Sequence, residues 1–267
     1  MLFTIIYGKE DLAGKNIIEN FKKLSFSPQI QIIEIKKHPI YLTEKDLDKL
    51  PIPKNNEFIV FASTHKSEKN LHSLSLHAPG NWRNNDFGGD RGKISNTSAF
   101  VLKHLFQKLN EITKQENLAD YEITLECTHH GPSINTPCCF IEIGSTEEQY
   151  TDKQAGKIIA KTILSLIDFN SKTKNWISAI AIGGPHYCPN FNKIQLNSNY
   201  AISHIIPEYS LPLTESILRE AEQKTKEQVK EIVLDWKGLG NSEKRNEILN
   251  LLNKLNLKHK RTNQIEK

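Results

Sequence analysis

Short runs rich in β-branched and aromatic residues recur along the chain at 2–7, 30–35, 58–62, 121–127, 140–143, 177–182, 201–206 and 231–235, and each predicts a strand. Between several of them lie stretches of 3.6-residue period with apolar faces, at 15–24, 97–113, 151–167, 214–225 and 243–255, which predict helices opened by Ser, Thr or Asp caps. Strands that alternate with helices argue for an α/β fold. The run Ile177-Ser-Ala-Ile-Ala-Ile182 is apolar at nearly every position, as a strand buried on both faces must be. The expected architecture is therefore a three-layer αβα sandwich around a largely parallel or mixed sheet. Residues 79–95 hold four glycines and no periodicity, which predicts a long loop, and loops of that length inside a domain are commonly functional. Residues 258–267 are polar and basic and read as a frayed tail after a single domain spanning 1–257.

Composition narrows the class without deciding the activity. The chain has 267 residues, 37% of them hydrophobic and 25% charged, which suits one large globular domain and excludes a disordered, collagen-like or disulfide-scaffold protein. Thirty-five Lys and Arg against 31 Asp and Glu leave a formal charge of +4, which permits a phosphate or nucleic-acid partner without requiring one. The longest apolar stretches are short and interrupted, for example by Lys161, so no membrane span is expected. The opening MLFTIIYGKE has no basic n-region and reads as a buried strand, which points to the cytoplasm. The four cysteines form no CxxC pair and are expected to be thiols.

Histidines carry the chemical signal. Seven of the ten fall in or beside predicted loops. Three predicted strands run into His65, into His129-His130 and into His186, while His77 and His204 lie in adjacent segments. Ligands of α/β sheets bind beyond strand ends, so these imidazoles are candidates to converge on one place. Imidazole is a common zinc ligand, and Glu126 or Glu142 could complete or orient the shell. Neighbouring side chains on extended backbone diverge, so at most one of His129 and His130 is expected to bind a given metal, the other serving as base or substrate contact. Nucleophilic catalysis by Ser63, Ser67, Cys127 or Thr128 is the competing chemistry, although none sits in a G-x-S-x-G elbow. Gly88-Gly-Asp-Arg-Gly92 and Gly183-Gly184 match neither a Walker loop nor a dinucleotide fingerprint and are expected to supply tight turns. Glu142 and Asp235 end strands, where a cap or surface role competes with a functional one.

Taken together, Ser63-Thr-His65-Lys-Ser67, Leu76-His77-Ala-Pro-Gly-Asn81, Glu126-Cys-Thr-His-His-Gly-Pro132, Ile141-Glu-Ile-Gly-Ser-Thr146, Gly183-Gly-Pro-His-Tyr187, Ser203-His-Ile-Ile-Pro207 and Asp235-Trp-Lys-Gly238 resemble the archaeal and plant type of D-aminoacyl-tRNA deacylase. That resemblance implies a zinc-dependent, cytoplasmic enzyme folded like phosphorylases and peptidyl-tRNA hydrolases. Its reaction would be hydrolysis of the ester joining a D-amino acid to the 3′ end of tRNA. On this reading His130, Glu126 and Thr128 are the expected catalytic residues, and His65, His77, His129, His186, His204 and Glu142 the expected pool of metal ligands. Backbone N–H groups of Gly131, Gly183 or Gly184 would hold the oxyanion. Arg83 and Arg91, with Lys153, Lys157 and Lys161, would contact tRNA phosphates, and Trp82 or Tyr187 would stack on the terminal adenosine. The chain is expected to act as a monomer without a stable protein partner. A phosphorylase-like or peptidase-like metal hydrolase acting on a small substrate is the alternative within the same fold.

Overall fold

The computed structural model describes residues 1–24, 30–67 and 70–266. One sheet contains β1 (Phe3–Gly8), β2 (Ile30–Ile35), β3 (Phe58–Lys66), β4 (Ser73–His77), β5 (Glu122–Leu125) and β6 (Cys138–Ser145), in the spatial order β2-β1-β3-β6-β4-β5. A second sheet contains β7 (Ile177–Ile182), β8 (Tyr200–Ile206), β9 (Glu231–Leu234) and β10 (His259–Arg261), in the order β10-β9-β7-β8. The second sheet is parallel throughout. In the first, β4 runs antiparallel to β6 and β5 follows β4, so the sheet is mixed.

Helices α1 (Leu12–Phe21), α3 (Ala99–Gln115) and α5 (Lys153–Leu164) cover one face of the first sheet, and the short α2 (Glu44–Leu47) with its flanking chain covers part of the other. Each long helix is opened by a polar cap: Asp11 accepts from the Gly14 N–H, Ser98 from Val101 and Asp152 from Gln154 and Ala155, although α1 begins at Leu12, ahead of the predicted stretch 15–24. A short α4 (Glu147–Thr151) leads into α5, and α6 (Pro189–Asn197) links β7 to β8. On the second sheet, Ile180, Ile182, Ile232 and Leu234 pack against Leu218 and Ala221 of α7 (Glu215–Gln223) and Ile248 and Leu252 of α8 (Ser242–Lys254). Its other face shares the first sheet's core, where Ala179, Ile202 and Val233 join Val60, Leu76 and Ile141.

The α/β class and the mixed sheet are as the pattern predicts, but the strands divide between two sheets. Helix α3 explains the division. Its buried residues Val101, Leu102, Leu105, Phe106 and Leu109 meet β4 and β5 on one side and β7 and β8 on the other, so one helix buries a face of each sheet. Strand β4, with its Ser-Leu-Ser-Leu-His alternation, and helix α6 are absent from the predicted elements. The expected frayed tail is also corrected. Residues 259–261 extend the second sheet beside β9, Arg261 lies 3.5 Å over the Trp236 ring and Ile265 is buried. A cation over an indole face and one buried apolar side chain anchor a segment whose composition alone suggests solvent.

Lys103, on α3, is fully buried, and its ammonium donates to the Gln195 and Ser198 carbonyls at 2.5 and 2.9 Å, at the C-terminal end of α6. A cation suits the exposed carbonyls there, yet burial pushes its pKa down from 10.5 to about 8. The folded state therefore binds the proton less well than the unfolded chain, so stability is lowest below about pH 8 and rises as pH climbs toward 10.5. Urea unfolding of the wild type and of Lys103→Met at pH 7.5 and 10 tests this. The difference between the two proteins should move in favour of the wild type by roughly 2 kcal/mol over that interval, and a difference independent of pH would show that the ammonium is not penalised.

Candidate functional site

Cross-strand register puts the site on a sheet face rather than along one sheet edge. Ser63 on β3, Glu142 on β6 and Ser75 on β4 are direct neighbours. His65, Gly144 and Ser73 form the next row on one side, and Phe61, Phe140 and His77 the next row on the other. Because β4 runs against β6, His65 near the end of β3 and His77 at the end of β4 flank Glu142 from opposite directions. His65, His77, Glu126 and Glu142 are all buried. Beyond β5 the chain leaves the sheet at Glu126, and residues 127–132 fold over this face with His129 and His130. The turn after β7 delivers His186, whose carbonyl accepts the Cys127 N–H.

Three imidazoles share a hydrogen-bonding pattern. His77 Nδ1 lies 3.2 Å from the Ala78 carbonyl, His129 Nδ1 2.8 Å from that of Cys127 and His130 Nδ1 2.6 Å from that of Gly131. A carbonyl can only accept, so each ring carries a proton on Nδ1, and Nε2 of a neutral ring then presents a lone pair. Ring centroids stand 4.3 Å apart for His77–His129 and for His129–His130, and 4.8 Å for His77–His130. One ligand atom from each of the three falls within 4.8 Å of the others. Burial and the neighbouring His77 push His130 down to about 4 and His129 well below the ordinary 6.5, so both are neutral near pH 7. His77 Nε2 is buried with no hydrogen bond. His130 also holds a left-handed backbone, φ +42°, which is uncommon for a residue other than glycine and clusters at functional sites.

The two carboxylates organise the remaining rings. Glu126 Oε2 is 2.8 Å from His186 Nε2 and 3.5 Å from His129 Nε2, while Oε1 stands 3.1 Å from His65 Nδ1 without hydrogen-bond geometry. Glu142 Oε2 lies 3.7 Å from His65 Nδ1 and 3.5 Å from His77 Nε2. Burial pushes both carboxyls up, but the surrounding histidines more than offset it and hold both well below the usual carboxylate range. Reciprocally, burial lowers His65 and His186, and this is outweighed. Glu142 and Glu126 raise His65, while contacts with Cys127 and Glu126 lift His186 to about 10. Tyr187 Oη fixes His65 Nε2 at 2.8 Å, and Tyr209 Oη lies 3.2 Å from His186 Nδ1 and 2.9 Å from Cys127 Sγ. Neutral lone-pair donors beside ionised carboxylates and imidazolium cations can bind a divalent ion and stabilise charge at an ester.

The family model for D-aminoacyl-tRNA deacylase matches residues 52–260. The chain belongs to the D-aminoacyl-tRNA deacylase family. It is 32% identical over 254 residues to the D-aminoacyl-tRNA deacylase of Methanocaldococcus jannaschii, covering 92% of this chain and 94% of that protein. It is 37% identical over 254 residues to that of Thermococcus onnurineus, covering 88% and 91%. Its fold matches the crystal structure of a conserved protein of unknown function, AF0625, with a TM-score of 0.88 and 27% identity over 99% of this chain and 96% of that one.

Within this deacylase-family framework the structure gathers His65, His77, His129, His130, His186, Glu126, Glu142 and Tyr187 and sets other expected residues aside. Thr128 and His204 face each other at 3.3 Å, and His204 Nε2 meets the Lys224 carbonyl at 3.4 Å, so both ring nitrogens are engaged away from the cluster. Thr128 Oγ1 also accepts the Ile205 N–H, leaving it a β8 anchor rather than a catalytic hydroxyl. Trp82 is buried and donates to the Ile205 carbonyl, so it offers no free face for an adenine. The Arg83 guanidinium holds the carbonyls of Ser210 and Pro212 at 3.0 and 2.7 Å, which joins the 79–95 loop to the segment carrying Tyr209. The expected oxyanion donors are occupied: the N–H groups of Gly131, Gly183 and Gly184 donate to Phe87, Ile206 and Gly238. Gly184 instead lets Asp235 pack close, and Asp235 accepts from Asn190. Ser63 donates to Asp11 at 2.7 Å. Lys153, Lys157 and Lys161 lie on α5, which covers the opposite face of the sheet, and are paired with Glu19 of α1 and Glu116 at the end of α3. Arg91 remains exposed on the loop. Tyr209 is missing from the expected set, although its place three residues after β8 follows the same strand-end rule.

The protonation pattern is directly observable. Long-range proton–nitrogen NMR at pH 6.5 should show His129 and His130 neutral and protonated on Nδ1, with His186 an imidazolium. A positively charged ring at either His129 or His130 would contradict the geometry.

Proposed function

We propose that this protein hydrolyses the ester between a D-amino acid and the 3′ end of tRNA, releasing tRNA and the free D-amino acid, with a zinc ion held by His77, His129 and His130. The observation that carries the reading is the set of three imidazoles with Nδ1 on backbone carbonyls and one ligand atom each within 4.8 Å of the others, His129 and His130 being neutral, in a member of this family. A second ring nitrogen bonded to a carbonyl is the usual support of a metal-ligating histidine. His77 Nε2 and Glu126 Oε1, both buried without a hydrogen bond, fit the same interpretation. When bound, zinc supplies Lewis acidity and makes water ionisable near neutral pH.

The chain's own groups divide the rest of the work. Glu126 Oε1, the oxygen without a hydrogen bond, receives a proton from the attacking water, while Oε2 keeps His186 charged. His186, partly exposed at the rim, provides positive charge for the oxygen that develops negative charge during attack, since the nearby glycine N–H groups are engaged elsewhere. His65, held by Tyr187, balances the second carboxylate and keeps Glu142 ionised. Exposed cations such as Arg91 contact tRNA phosphate, so affinity falls as salt rises. Among the described residues no helix is long and apolar enough to cross a membrane, and action as a monomer in the cytoplasm accords with a tRNA substrate.

The test is release of tyrosine from D-Tyr-tRNA and L-Tyr-tRNA with and without a chelator, alongside zinc content. The D-isomer should be hydrolysed, the chelator should abolish turnover, and added zinc should restore it. His130→Ala should stay folded with near-normal thermal stability, yet lose zinc and at least a hundredfold in rate. Full turnover in metal-free protein, or in His130→Ala, would overturn the mechanism. Hydrolysis of small esters with no action on D-Tyr-tRNA would overturn the substrate.

A further inference from the structure

Among the described residues the exposed large apolar side chains are Leu12, Tyr41, Leu71, Phe87 and Tyr209. Tyr209 is 59% exposed but its hydroxyl is engaged with His186 and Cys127, whereas Phe87 and Tyr41, 65% and 50% exposed, flank the chain that follows the histidine cluster without a contact from their rings to it. The Phe87 carbonyl accepts the Gly131 N–H at 2.9 Å, directly after His130. Gly88, next to Phe87, lies so close to the Ile40 carbonyl and the Tyr41 ring that no side chain fits there, and Gly131 packs in the same way on Gly88, Gly89 and Ile40. Three backbone segments thus touch where only glycine permits it, at φ +72° and +70° for Gly88 and Gly89. That contact locks Tyr41, Phe87 and His130 into one rigid arrangement. Beside Tyr41, and next in the chain to Phe87, runs a groove of about 560 Å³ lined by Tyr41, Gly88 and Gly89 and by Lys45, Glu44 and Asp90.

We infer that Phe87 and Tyr41 form a stacking platform for the unpaired nucleotides at the 3′ end of the tRNA. The inference rests on the proposed deacylase reading and extends it to how the ester is brought to the histidines. An isolated exposed phenyl ring has no folding role, whereas aromatic faces are what unpaired bases stack on, irrespective of sequence. The groove carries charges of both signs, which suits flat neutral bases better than a run of phosphates, and the exposed Arg91 on the same loop is available to the backbone between them.

The experiment uses an uncharged RNA minihelix ending in unpaired 3′ ACCA and the same minihelix without those four nucleotides. The intact protein should bind the first about tenfold more tightly than the second. Phe87→Ala, and more so Phe87→Ala with Tyr41→Ala, should lose that preference. Phe87→Trp should keep it, and Leu12→Ala should bind like the wild type. On D-Tyr-tRNA, Phe87→Ala should raise KM about tenfold with kcat within twofold. Equal binding of the two minihelices, unchanged binding by the double variant, or equal weakening by Leu12→Ala would overturn the platform. Wild-type protein that binds the ACCA minihelix but leaves D-Tyr-tRNA intact would overturn the proposed activity instead.

Discussion

Two carboxylates, Glu142 on the face of the first sheet and Glu126 just beyond β5, are buried around His65, and much of the molecule is organised around making that tolerable. An isolated buried carboxylate costs several kcal/mol, and two near each other cannot both stay ionised without cations. Here the compensation is histidine alone, since no Lys or Arg of the described residues pairs with either acid. His65 stands between both acids, His186 closes on Glu126 from the loop after β7, and Tyr187 and Tyr209 hold those two rings from outside. Removing one member would leave a charge in the interior. The cluster is thus a structural necessity as well as a chemical resource, and it explains why segments from both sheets meet here.

The surrounding loops are ordered by backbone contact more than by side-chain packing. Gly88, Gly89 and Gly131 bring three stretches of chain to a separation that any Cβ would prevent, and Arg83 ties the same loop to the carbonyls that follow Tyr209. Binding residues on loops work only when the loop is positioned by a rigid scaffold. In this protein the scaffold is made from N–H and C=O groups themselves, which is why the N–H of Gly131 is bonded to Phe87 and unavailable to a substrate.

The strands and helices with strong periodicity were legible. The stretch 30–35 is observed without change as β2, and the caps at Ser98 and Asp152 open helices where the pattern requires them. The convergence of His65, His129, His130 and His186 was also legible, because each lies beyond the end of a predicted strand, although β3 runs on to include His65. Two features were not. Strand β4 is five residues long, and whether it runs with or against its neighbour depends on contacts distant in sequence, so the placement of the site across a sheet face could not be read from strand ends. Side-chain direction was hidden too: Trp82, Thr128 and His204 occupy plausible motif positions, but packing on β8 turns them away. A residue's neighbourhood in sequence records which loop it rides on, and only the tertiary contact decides which way it faces.

The histidines illustrate that last point most fully, because one cluster holds imidazoles in opposite states of charge. Their unperturbed chemistry is the same, so the difference lies in what each second nitrogen meets. Rings whose Nδ1 faces a backbone carbonyl have a partner indifferent to ring charge beyond a dipole, and burial then drives them neutral, as at His129 and His130. Rings that face a carboxylate gain more from ionising than burial takes away, as at His65 and His186. The outcome is a division between lone pairs directed inward and positive charge at the rim, set by backbone geometry and two acids. A neutral donor set could not hold its form beside unpaired carboxylates, and the carboxylates could not stay ionised without the charged rings, so each half of the cluster requires the other.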